Sequence, residues 1–133
     1  MQKKSTTLKL DKRGRLKLSE RAIQRQIIDL LEAHGWLVLR TNQFKSGGAI
    51  IVQGAIEKGI PDLQARRLFR LRSSTCLSIE KAYWLFWIEV KRPGGKLSAD
   101  QERWHLLAKR RGETVLTAES VEQVAEAIGV RIT

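Results

Sequence analysis

The apolar run Tyr83–Ile88 (YWLFWI) drives straight into Glu89-Val90-Lys91. A stretch so rich in aromatic and branched side chains suits a β-strand. Alternation then puts Leu85, Trp87, Glu89 and Lys91 on one face and Trp84, Phe86, Ile88 and Val90 on the other. Both faces are apolar through Ile88, so the strand is expected at the centre of a sheet and covered on each side. Glu89 falls at the edge of that core, where a carboxylate is rarely left unpaired. Lys91 is one candidate partner, although an i, i+2 separation of about 7 Å is wide for direct contact.

The neighbours of this strand follow from local signals. Ser19 is a good helix N-cap, with Leu18 and Ile23 forming a hydrophobic staple. A helix is expected over Glu20–His34, with Ile23, Ile27, Leu30 and Leu31 on one stripe and Gly35 ending it. Strands are expected over 36–42, 62–69 and 83–91. Glycines punctuate residues 43–59, where Ala49–Val52 is a possible further strand, and a basic connection spans 70–82. After the Pro93-Gly94-Gly95 turn, Ser98 caps a helix to about Arg110, followed by a strand at 113–118 and a helix at 119–129. The order α-β-β-β-α-β-α predicts an α/β fold, a central mixed sheet flanked by helices. Residues 1–18 read as a basic segment with a short hairpin or a frayed tail, and 19–133 as one domain.

Charge narrows the partners. The chain has 133 residues, 25 Lys and Arg against 14 Asp and Glu, and a formal net charge of +11. Seven of the basic residues stand in 1–17, and Arg66, Arg67, Arg70 and Arg72 form a second cluster. Such a balance points to a polyanion, nucleic acid above all. Neither cluster has the spacing of an amphipathic membrane helix, no apolar run reaches about 18 residues, and the basic start lacks the apolar stretch of a secretory signal. Cys76 is the single cysteine, which favours a reducing compartment. A cytoplasmic setting is expected. His34 and His105 lack ligand spacing for zinc, and no Ser/His/Asp set or P-loop is present. The four tryptophans read as core, with Trp104 the ambiguous one.

A third acidic group makes better sense of Glu89. The stretch "GIPD" places Asp62 at the mouth of the neighbouring strand, where it could converge on Glu89. Two convergent carboxylates repel unless a cation lies between them. Mg²⁺ prefers one or two carboxylates, with water and substrate phosphate filling its octahedron. With Lys91 beside the bound water, such a set performs metal-assisted phosphodiester hydrolysis.

The ordered set "GIPDL", "IEVK" and "RPGGKLSADQ" resembles the PD-(D/E)xK nuclease superfamily, and within it the virus-type replication-repair nuclease (VRR-NUC) family. The resemblance covers roughly residues 19–117 and implies a restriction-endonuclease-like core. It implies Asp62, Glu89 and the Val90 carbonyl as metal ligands, Lys91 as catalytic lysine, and Gln101 and Glu20 as supporting catalytic residues. The residues alone also allow blander roles: Glu20 favours a helix dipole in the first turn, and Gln101 completes a capping box with Ser98. The lengthened, basic 70–82 connection departs from the family pattern and puts substrate preference in doubt.

The expected function is a Mg²⁺-dependent, structure-selective DNA endonuclease, with Mn²⁺ able to substitute, acting on branched DNA such as four-way (Holliday) junctions. Lys45, Arg66, Arg67, Arg92 and Lys96 are the expected phosphate contacts. A homodimer is expected, with Ala49–Val52 as a possible interface, and no small-molecule cofactor or membrane. The alternatives are a non-catalytic nucleic-acid-binding module of the same fold and a sequence-specific, restriction-like nuclease.

Overall fold

The computed structural model describes residues 10, 12, 17–41, 58–70 and 81–132. The hairpin expected over 7–18, the possible strand and interface at Ala49–Val52, Lys45 and most of the 70–82 connection lie outside them.

The first helix, α1 (Glu20–Ala33), starts where Ser19 accepts the amide of Ala22 through its hydroxyl at 3.1 Å. Its Ile23, Ile27, Ile28 and Leu31 are buried, and Leu18 and Leu30 pack against the same core. At the far end Gly35 takes φ +82°, a conformation that costs side-chain-bearing residues dearly. The amide of Trp36 can then turn back to the carbonyl of Leu31 at 2.9 Å.

Three strands follow: β1 (Leu37–Arg40), β2 (Leu63–Arg70) and β3 (Lys81–Val90). Helix α2 (Ala99–Arg110), strand β4 (Thr114–Ala118) and the short helix α3 (Val121–Ala127) complete the order α-β-β-β-α-β-α. The sheet runs β1-β2-β3-β4 in space; the first two pairings are antiparallel, and β3 and β4, joined through α2, are parallel. Among the described residues the fold is therefore α/β, a four-stranded mixed sheet flanked by three helices.

Register sorts the side chains onto two unlike faces. Val38, Ala65 and Phe86 stand in one row, and Leu63 pairs with Ile88. With Val90, these residues join the α1 stripe and Val124 of α3 in one buried core. The opposite face carries Leu37, Arg66 and Leu85 in one row, then Leu39, Gln64 and Trp87, and finally Glu89. Here α2 covers only the upper part: Trp104 meets Trp87 edge-on at 5.0 Å, while Leu37, Leu39, Leu68, Tyr83 and Leu85 are exposed.

The sequence expectation needs two corrections on this point. The lower half of β3 is open on the Glu89 face, which α2 does not reach, and only partly covered on the other. The tryptophan open to solvent is Trp84, at 44% exposure, whereas Trp104 is buried at 7%.

The approach of α2 to the sheet depends on Gly59. A Cβ there would lie 2.2 Å from the Asp100 carbonyl oxygen and 2.7 Å from the Gln101 amide, and the residue sits at φ +84°. Gly59→Ala should therefore lower unfolding free energy by about 2–4 kcal/mol, since strain and a backbone clash combine. Urea unfolding monitored by circular dichroism checks this.

Candidate active site

The final turn of β3 gathers the predicted groups. Leu63 pairs with Ile88, so Asp62, just before β2, lies beside the end of β3. Its Oδ2 accepts the Val90 amide at 2.9 Å. Three further bonds, all from Thr41, hold the segment in place. The buried Thr41 donates its hydroxyl to the carbonyls of Pro61 at 2.6 Å and Asp62 at 3.1 Å. Its amide also donates to the Asp62 carbonyl at 3.0 Å.

Glu89 is 1% exposed. Its Oε1 accepts the Gln101 amide nitrogen at 2.8 Å and lies 3.6 Å from the Lys91 ammonium. The flexible Lys91 stem thus closes the gap that the strand spacing made look too wide. Among the described residues, no hydrogen-bond donor reaches the buried Oε2. Burial first, and then the negative charge of Asp62, push the Glu89 carboxyl up to about 8; Lys91 offsets this only in part.

Gln101 performs both of the roles open to it in the sequence. Its side-chain oxygen accepts the Ser98 backbone amide at 2.9 Å, and the Ser98 hydroxyl in turn accepts the Gln101 backbone amide at 3.2 Å. That capping box fixes which end of the amide faces the sheet, leaving Nε2 to donate to Glu89. Gln101, Trp104, His105 and Ala108 form the inward stripe of α2, at helical spacing.

Other assignments are not gathered in. Glu20 is exposed in the first turn of α1, and the described residues hold no group of three His, Cys, Asp or Glu placed to share a metal ion. Among the described residues Asp62 and Glu89 thus have no third carboxylate beside them, and Glu20 stands where a helix N-terminus favours negative charge. Val90 ends β3 with its amide committed to Asp62. Arg92 and Lys96 are exposed on the turn beyond Lys91. Arg66 and Arg67, read as one cluster, point to opposite faces: Arg66 shares that of Glu89, while Arg67 lies 5.2 Å over the Phe69 ring.

Three residues were missed by sequence reading. Thr41 follows a strand with no motif to mark it. Gly59 was legible only as a turn residue, not as the clearance for α2. His105 was dismissed for want of ligand spacing, yet it is buried with Nε2 unpartnered among the described residues. Burial, then the charges of Lys109 and Lys91, lower its pKa and favour the neutral ring.

The residues present fit a divalent cation. An unserved, buried carboxylate oxygen beside a second carboxyl is the donor chemistry such an ion takes, with water and phosphate filling the remaining positions. The class that fold and site define is an α/β domain with a buried carboxyl group, Glu89, beside a half-buried second one, Asp62, and a lysine at the end of a central strand. No family model, curated protein or solved structure gives a significant match to the chain.

The Glu89 shift fixes a pH dependence. Its folded pKa is raised, so the stability it contributes is full below about 4.5 and is lost as pH rises through about 8. His105 shifts the opposite way, with effects centred at and below its ordinary value of 6.5. In metal-free buffer the melting temperature should therefore fall between pH 7 and pH 8.5. Glu89→Gln should flatten that slope, as followed by differential scanning calorimetry.

Proposed function

We propose that this chain is a metal-dependent endonuclease of the PD-(D/E)xK kind, similar to the VRR-NUC family, acting on branched DNA. The observation that carries the reading is the crowding of Asp62 and Glu89 with Lys91 at 3.6 Å, while Glu89 Oε2 lacks a donor among the described residues. A purely structural ion pair would not leave a buried carboxylate oxygen unserved beside another acid, because both features cost stability.

Asp62, Glu89 and the Val90 carbonyl would hold the ion. When bound, Mg²⁺ would neutralise phosphate charge and make its bound water more acidic. Asp62 is oriented by the Val90 amide and by the Thr41 brace on its backbone. Gln101 holds Glu89 Oε1, which would leave Oε2 as the oxygen available to an ion. Lys91 is poised to orient the attacking water or to meet charge developing on the phosphate. Water adds to phosphorus, a P–O ester bond breaks, and the leaving oxygen takes up a proton.

The basic charge supports a nucleic-acid substrate: Arg66 on the face of Glu89, and Arg92 and Lys96 just past Lys91, would contact phosphates. No described helix presents an obvious set for reading base edges, which favours recognition of DNA shape over sequence. One site per chain cuts both strands of a junction symmetrically only as a twofold dimer, so the acting form is a homodimer.

Asp62→Asn, Glu89→Gln and Lys91→Ala should each reduce cleavage of a labelled four-way junction at least about a hundredfold in Mg²⁺. Junction binding should remain largely intact. Full activity in Glu89→Gln contradicts the assignment. Tight binding by a wild-type chain that never cleaves would favour a non-catalytic module.

A further inference from the structure

The end of the β2–β3 ladder far from Glu89 shows an aromatic ring and a guanidinium on each face. On the Glu89 face, Tyr83 is 72% exposed. Arg66 pairs with Leu85, two residues from Tyr83. Diagonal neighbours of this kind lie about 7–8 Å apart, within reach of long side chains. On the other face Trp84 stands opposite Arg67, its ring braced edge-on by Trp36 at 5.5 Å and tilted against Phe69 at 5.8 Å.

Exposed leucines flank Tyr83, so a second copy of the chain is the competing occupant. Charge disfavours it. No Asp or Glu occurs in β2 or in β3 before Glu89, so a copy packed on this surface by the same face would bury guanidinium groups without carboxylates. A nucleotide supplies what each face lacks, a phosphate for the arginine and a flat base for the ring.

We infer that this ladder end is a nucleobase-stacking contact that selects branched over linear DNA, an inference that rests on the nucleic-acid reading above. A linear duplex keeps its bases stacked inside, whereas a branch point exposes terminal base pairs or unpaired bases. Six residues of strand separate Tyr83 from Glu89, about 20 Å at a rise of about 3.3 Å each. At about 3.4 Å per nucleotide of duplex, the stacked base and the cut phosphate stand about six nucleotides apart.

The test uses the full chain with Tyr83→Ala and Tyr83→Phe, an exposed position whose loss leaves the core intact. Affinity for a fluorescent four-way junction and for linear duplex of the same sequence is measured by anisotropy without divalent metal. Tyr83→Ala should weaken junction binding at least about fivefold, the low end of one base–aromatic stack, and leave linear binding unchanged. Tyr83→Phe should bind as wild type.

Unchanged junction affinity in Tyr83→Ala, or equal loss for both DNAs, overturns the inference. So does conversion of a dimer to a monomer in sedimentation with DNA affinity unaltered, which would assign the surface to a second copy. A chain that shows the Tyr83-dependent preference but does not cleave in Mg²⁺ keeps this contact and loses the catalytic reading. Cleavage with no Tyr83 dependence does the reverse.

Discussion

Two carboxyl groups, Asp62 and Glu89, share the end of one strand ladder, and one of them is almost wholly withdrawn from water. Ionising both in a dry site is costly, because burial and mutual repulsion act in the same direction. The surrounding structure holds the pair together despite this. The Leu63–Ile88 register sets the strands, the Val90 amide takes one Asp62 oxygen, and Thr41 ties down the Pro61–Asp62 backbone. From the other side the α2 capping box presents the Gln101 amide to Glu89. Gly59 makes that possible by leaving no Cβ between its loop and the first turn of α2.

The sheet divides the work between its faces. One packs against α1 and α3 over a continuous apolar core, with Trp84 left open at its far end. The other is covered only where Trp104 meets Trp87 and Gln101 meets Glu89. The same face therefore carries a buried acidic site at one end and exposed Tyr83, Leu85 and Arg66 at the other. Rigid strands connect the two, so a ligand held at the open end would be set at a fixed distance from Glu89.

Much of this was legible in the sequence. Ser19 and Ser98 marked helix starts through short-range hydrogen bonding, and alternation in β3 put Glu89 on the face opposite Phe86 and Ile88. The element order followed, since caps, glycines and periodicity are local signals. What stayed hidden depended on distant contacts. Alternation cannot say how far α2 reaches along the sheet, so Tyr83 and Leu85 read as covered and Trp84 as core. Adjacent Arg66 and Arg67 read as one cluster, although a strand turns neighbours to opposite sides. Thr41 and His105 matter only through partners or burial far along the chain. The dual role of Gln101 was visible as two alternatives, and tertiary placement of the capping box made them one.

Calorimetric titration of the metal-free chain with Mn²⁺ at pH 7, repeated in buffers of different ionisation enthalpy, tests the central claim most directly. A carboxyl held at about 8 is largely protonated at that pH, and a cation bound between Asp62 and Glu89 must displace that proton. The account predicts one ion per chain, release of close to one proton, and loss of both signals in Glu89→Gln. Absence of Mn²⁺ binding, or binding that Glu89→Gln leaves unchanged, would contradict it.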